Sequence, residues 1–180
     1  MLTACNKKDD HPVPVSDERV FYTTDEFIMG ADLSYVNQIL DHGGIYKDSG
    51  VVENPYSIFR KYGANVARFR LFHNPLWTQE VYGAGGTQMY NDFEDVKKGI
   101  SEAKAAGIKV CLAFHYSDSW ADPSKQAVPA AWESLSFEDL HDSIYNYTFK
   151  ILQRLGEAGL NPVPALAAPF PGGGQGAVII

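Results

Sequence analysis

No run of about 18 apolar residues occurs in this 180-residue chain, so nothing in it reads as a membrane-spanning helix. Basic residues are few: 15 Lys and Arg stand against 22 Asp and Glu, for a net charge of −7. With no cluster of them, a nucleic-acid surface is excluded as the main function. There are two cysteines, too few for a disulfide framework. No Gly-x-Ser-x-Gly motif and no Cys/His nucleophile pair is present. The cluster Gly83-Ala84-Gly85-Gly86 lacks a third glycine at phosphate-loop spacing and does not join a strand directly to a helix. No third His, Cys or Glu at ligand spacing joins His115 and Asp118, so neither a metal nor another cofactor is expected. Charge itself runs out: 21% of the chain is charged, yet no charged residue follows Glu157.

What remains is ordinarily globular, with 45% hydrophobic and 13% aromatic residues. The two ends differ from the middle. Residues 1–26 carry Pro12, Pro14 and mixed charges without periodicity and read as a tether. Within it, Leu2-Thr3-Ala4-Cys5 resembles a bacterial lipobox, and Asn6 to Asp10 is a polar stretch suited to follow one. A lipid on Cys5 would anchor the protein to a membrane at a bacterial outer membrane or cell surface; without it, secretion is the expectation. Cys111 lies in an apolar run, where Cys behaves as a small hydrophobe, so no disulfide is expected. At the other end, Pro and Gly in residues 163–180 exclude a helix and any central strand. That segment reads as an aberrant, disordered tail from a frameshift or truncation.

Residues 27–162 alternate strand and helix signals. A first strand candidate, Phe27 to Ala31, stops at Asp32, and Ser34 is placed to cap a short helix ended by Gly43-Gly44. Asn54-Pro55 opens the next helix as cap and first-turn proline. A strand from Asn65 to Phe72, a helix from Asp92 to Ala106, a strand from Ile108 to Phe114 and a helix from Phe137 to Leu155 follow. This order predicts right-handed βαβ units and a parallel α/β sheet. Val66, Val110, Leu112 and Phe114 are expected on the strands' inward faces.

Polar residues gather where strands end. In α/β barrels that is where functional side chains sit. Arg68 and Arg70 alternate, so both point to one face. They read either as site residues or as an ion pair with Asp32. His73 and Asn74 end the same strand. His115, Tyr116, Asp118, Trp120 and Asp122 follow the next one; His115 alone could equally be a satisfied structural histidine.

Taken in order, several segments resemble one family. They are Gly30-Ala31-Asp32-Leu33-Ser34-Tyr35-Val36, Asn65 through Pro75, Phe114 through Pro123, Lys125 through Trp132, and Tyr145-Asn146-Tyr147-Thr148. The chain resembles the N-terminal part of the arabinogalactan endo-β-1,4-galactanases of glycoside hydrolase family 53, over residues 27–162. That resemblance implies the first three to three-and-a-half units of a (β/α)8 TIM barrel. It also implies retaining hydrolysis of the β-1,4-galactan side chains of pectin, with galactan or arabinogalactan as partner. The substrate residues it carries over are Asp32, Arg68 or Arg70, His73, Asn74, His115, Tyr116, Asp118, Trp120 and Asp122. Trp120 and Trp132 then read as sugar platforms or as packing.

The resemblance also implies two catalytic glutamates, one following an Asn at the end of strand four and one ending strand seven. This chain contains no Asn-Glu pair: after Gly159-Leu160-Asn161-Pro162 it continues Val163-Pro164-Ala165-Leu166. Ala113 stands where family members often carry Asp. Asp118 and Asp122 lie on one loop and cannot flank a sugar from opposite faces. No catalytic residue is therefore assigned, and the chain alone is expected to be inactive. The alternative is a non-catalytic galactan-binding surface lipoprotein.

Overall fold

The computed structural model describes residues 28–122 and 124–162. The tether with Cys5 and the tail from Val163 lie outside them. In chain order the elements are β1 (Gly30–Asp32), α1 (Val36–Asp41), β2 (Lys47–Asp48), β3 (Val51–Val52), α2 (Pro55–Lys61), β4 (Val66–Phe72), α3 (Phe93–Ala105), β5 (Lys109–His115) and α4 (Phe137–Glu157). Short 3₁₀ turns occupy Leu76–Glu80 and Ala130–Trp132. Strands β1, β4 and β5 form a parallel sheet in that order, pairing Asp32 with Arg68 and Phe72 with His115.

Local chemistry accounts for the helices. The Asn54 side chain accepts from the Tyr56 and Ser57 amides, with Pro55 in the first turn. Asp92 accepts from the Asp95 amide at the start of α3. At α4, Ser136 accepts from the Asp139 amide while its hydroxyl donates to the Asp139 carboxylate. Gly107 ends α3 at φ +74, the left-handed conformation that returns the chain toward β5.

The core lies between sheet and helices. Phe69, Leu71, Val110, Leu112 and Phe114 pack with Val96, Ile100, Ala103, Ile151 and Leu155. This corrects the expectation that Val110, Leu112 and Phe114 face inward. Register decides it: Arg68 pairs with Cys111 and Arg70 with Ala113, so odd-numbered β5 residues share the arginine face. Even-numbered ones point to the helices, as the residues between the arginines do. A close approach fixes the spacing there, since a Cβ on Gly99 would lie 2.6 Å from Phe69 Cε1.

Lys47–Asp48 and Val51–Val52 form the hairpin β2–β3 around Ser49 and Gly50, at φ +49 and +85. One other reading changes. Ser34 does not cap α1, whose N-cap Tyr35 makes no side-chain capping bond. The Ser34 hydroxyl is spent elsewhere.

Candidate functional site at the strand ends

That hydroxyl donates to Asp32 Oδ1 at 2.6 Å and accepts from the Arg70 amide at 2.9 Å. It thus ties the loop after β1 to the middle of β4. Asp32 Oδ2 receives both guanidinium groups, Arg68 Nη1 at 2.7 Å and Arg70 Nη2 at 2.9 Å. Desolvation raises the Asp32 pKa, but the Ser34 hydrogen bonds and the charges of Arg70 and Arg68 outweigh it and hold the carboxyl below its ordinary range. Two cations on one anion leave a net positive charge on this face. The ion-pair reading of the arginines is thus met, at Asp32, the last residue of β1. Arg70 also reaches the Tyr35 hydroxyl at 3.3 Å and lies 5.1 Å from the Trp120 ring centre.

His115 closes the same face on β5. Its ring stacks on Phe72 at 4.6 Å, and Nε2 is buried without a hydrogen-bond partner. Desolvation, then the charges of Arg68 and Arg70, lower its pKa from 6.5 to about 4. It is a neutral imidazole at pH 7. Cys111, beside Arg68 in register, has its thiol pKa raised by burial.

A second group gathers beside the first. His73 Nδ1 is 3.0 Å from Asp118 Oδ1, and its ring contacts Trp132 at 4.8 Å and Tyr147 at 5.1 Å. The Tyr116 hydroxyl lies 2.8 Å from Thr148 Oγ1, and burial raises its pKa. Tyr147 donates to the Phe72 carbonyl at 3.3 Å. Trp120 remains 43% exposed, a ring open on one side.

The remaining residues singled out in the sequence sit further out. Asn74 is exposed, and its carbonyl accepts from the Leu76 amide. The Asp122 carboxylate accepts from the amide and hydroxyl of Ser124, within its own loop. Sequence reasoning did not single out Tyr35, Tyr147 or Thr148 as site residues. All three lie in segments that carry the family resemblance, which was their one signal in the sequence.

Among the described residues no group of three His, Cys, Asp or Glu could hold a metal ion. The arrangement offers hydrogen bonding, a flat exposed ring and positive charge, the elements of a polyhydroxylated-ligand site.

The family model for glycosyl hydrolase family 53 matches residues 28–164. The chain belongs to glycosyl hydrolase family 53. Over 137 residues it is 41% identical to an arabinogalactan endo-β-1,4-galactanase of Cellvibrio japonicus (strain Ueda107), covering 76% of this chain and 34% of that protein. An endo-β-1,4-galactanase of Bacillus subtilis (strain 168) is 37% identical over 141 residues, covering 76% and 31%. Among solved structures, the Ignisphaera aggregans GH53 catalytic domain superposes with a TM-score of 0.67 at 36% identity, covering 76% of this chain and 37% of that one. A fungal β-1,4-galactanase gives 0.65 at 33% identity, covering 75% and 37%. The chain thus spans about a third of the length of the relatives it matches. Its three βα units are an incomplete (β/α)8 barrel of family 53, as the resemblance implied, and its sheet is parallel, as the element order predicted.

Proposed function

We propose that this chain is the substrate-binding N-terminal portion of a retaining endo-β-1,4-galactanase acting on the galactan side chains of pectin. One observation carries the reading. Asp32 at the end of β1, Arg68 and Arg70 along β4, His115 at the end of β5 and Trp120 in the loop that follows converge on one face of the sheet, toward the strand ends where functional groups gather in such barrels. Chemistry would need two carboxylates about 5–5.5 Å apart across the scissile bond. The described acids near the site are committed elsewhere: Asp32 to two arginines, Asp118 to His73, Asp122 to Ser124. The protein would reach galactan from the cell surface through a lipid on Cys5.

The test is reducing-sugar release from β-1,4-galactan by the purified 180-residue chain, run beside its retardation in galactan-loaded gels. Retardation without hydrolysis is expected. Hydrolysis would overturn the assignment of the catalytic carboxylates to residues beyond this sequence, and no retardation would overturn the binding role. Trp120, exposed on a positive face with no poised carboxylate, also suits the second reading of a non-catalytic galactan-binding lipoprotein. Resequencing the gene around codon 162 separates the two. A shifted frame restoring an Asn-Glu pair supports the enzyme, and an intact frame supports the binder.

A further inference from the structure

The loop after β5 is tied by one side chain. Asp118 Oδ1 pairs with His73 Nδ1 at 3.0 Å, and its Oδ2 accepts from the Ala130 amide at 2.9 Å. The first contact crosses from the end of β4 to the end of β5, 45 residues apart in sequence. The second closes residues 118–130 into a loop, twelve positions apart. Inside that loop Asp122 and Lys125 exchange backbone hydrogen bonds, both at 3.0 Å. At its base the His73 amide donates to the Ser117 carbonyl at 3.0 Å. Trp120 stands two residues beyond Asp118, with its ring over Arg70.

We infer that His73 and Asp118 form a positioning clamp that sets Trp120 against Arg70, rather than contacting the ligand themselves. Each Asp118 oxygen already accepts one N–H group. With the carboxylate as acceptor, Nδ1 of His73 carries the proton, and the ring is wedged between Trp132 and Tyr147. The donor thus follows directly on β4, with its amide bonded to the Ser117 carbonyl, and the acceptor lies on the loop after β5. Without the clamp, the loop would be closed only by local turns, and the ring at position 120 would sample many placements. Naming galactan as the ligand rests on the proposed function; the clamp does not.

The experiment uses the 180-residue chain and its one basic residue in the loop. Lys125 is exposed and is the sole tryptic site between Lys109 and Lys150. His73→Phe keeps an aromatic ring between Trp132 and Tyr147 but removes the donor, whereas His73→Asn restores a donor at the Nδ1 position. Asp118→Asn, as an independent variant, cannot accept both N–H groups. Cleavage after Lys125, followed by mass spectrometry, is expected to be about fivefold or more faster in His73→Phe and Asp118→Asn. Cleavage after Lys97 should be unchanged, and His73→Asn should return to within about twofold of the parent. Retardation in galactan gels should weaken in the two loosened variants and recover in His73→Asn. Unchanged Lys125 cleavage, or equal acceleration at Lys97 and Lys125, overturns the clamp. A loosened loop with undiminished retardation overturns the positioning of Trp120. A parent chain that galactan gels do not retard overturns the galactan reading, while the cleavage pattern still decides the clamp.

Discussion

Acidification should destabilise this fold through His115, in a window set by one imidazole. Its pKa falls from 6.5 to about 4 on folding, because burial and then Arg68 and Arg70 oppose a third positive charge. A lowered imidazole pKa means that the unfolded chain binds more protons between these values. Stability is therefore full above about pH 6.5 and declines as pH falls toward 4. The gap, at about 1.36 kcal/mol per pH unit, caps the loss at about 3 kcal/mol. Solvent reaches part of the ring, and screening reduces the expected loss to roughly half of that. Two neighbours test the attribution. Asp32, whose pKa is lowered, loses its contribution only below the ordinary carboxylate range. Asp95, raised chiefly by burial in spite of its hydrogen bonds from Asn91 and Asn37, acts in the opposite direction and gains as pH falls. His115→Phe keeps a ring on Phe72 and cannot titrate. Urea midpoints followed by tryptophan fluorescence from pH 7.5 to 4.5 should fall in the parent and stay nearly level in the variant. Equal slopes in both proteins would refute the argument, as would an NMR titration placing the His115 midpoint at or above 6.5.

Three more outcomes are expected. Asp32→Asn leaves Arg68 and Arg70 without their shared carboxylate, and should cost about 1–2 kcal/mol, between exposed and buried pairs. Galactan-gel retardation should fall with it; unchanged urea midpoints and mobility would make the trio incidental. Gly99→Ala gains about 1 kcal/mol of helix propensity but drives a Cβ to 2.6 Å from the buried Phe69 ring, where overpacking costs about 1–3 kcal/mol. Net destabilisation in urea is expected, and a stabilised variant would show that the ring yields freely. Phe137, Tyr145 and Phe149 on α4 are 84%, 64% and 55% exposed. These exposed aromatic rings should make the isolated chain self-associate, and Phe149→Lys should reduce light scattering at equal concentration.

How far these features could be read in advance depends on the range of the interaction. Caps are local, so Asn54-Pro55 and Asp92 marked their helices within a residue or two. The parity of β4 was legible because charged and apolar residues alternate in Arg68-Phe69-Arg70-Leu71. That of β5 was hidden, because Val110 to Phe114 is apolar on both faces, and only the register with β4 orients it. Ser34 looked like a cap because Ser before a helix usually is one. Its hydroxyl instead serves a carboxylate two residues back and an amide on another strand. The His73–Asp118 contact spans 45 residues, and nothing in either neighbourhood announces it. The strand-end polar residues were thus legible as a set and the Asp32–arginine pair as one of two readings, whereas the Ser34 bridge and the His73–Asp118 contact were not.

Those pairings explain why one sheet carries two kinds of face. Toward the helices, Phe69, Leu71, Val110, Leu112 and Phe114 give a dry layer that needs only volume and shape. On the other face, Asp32, Arg68, Arg70 and His115 replace aliphatic layers with charge and an unsatisfied imidazole nitrogen. Such a face is a poor way to stabilise a core, because each guanidinium kept there must hold a partner or face water. It is a good way to present directed hydrogen bonds to a hydroxyl-rich ligand from a rigid support. The Ser34 bridge and the Asp118 clamp then act alike. Each fixes a loop after one strand to the neighbouring strand, so that the groups at the mouth inherit the register of the sheet.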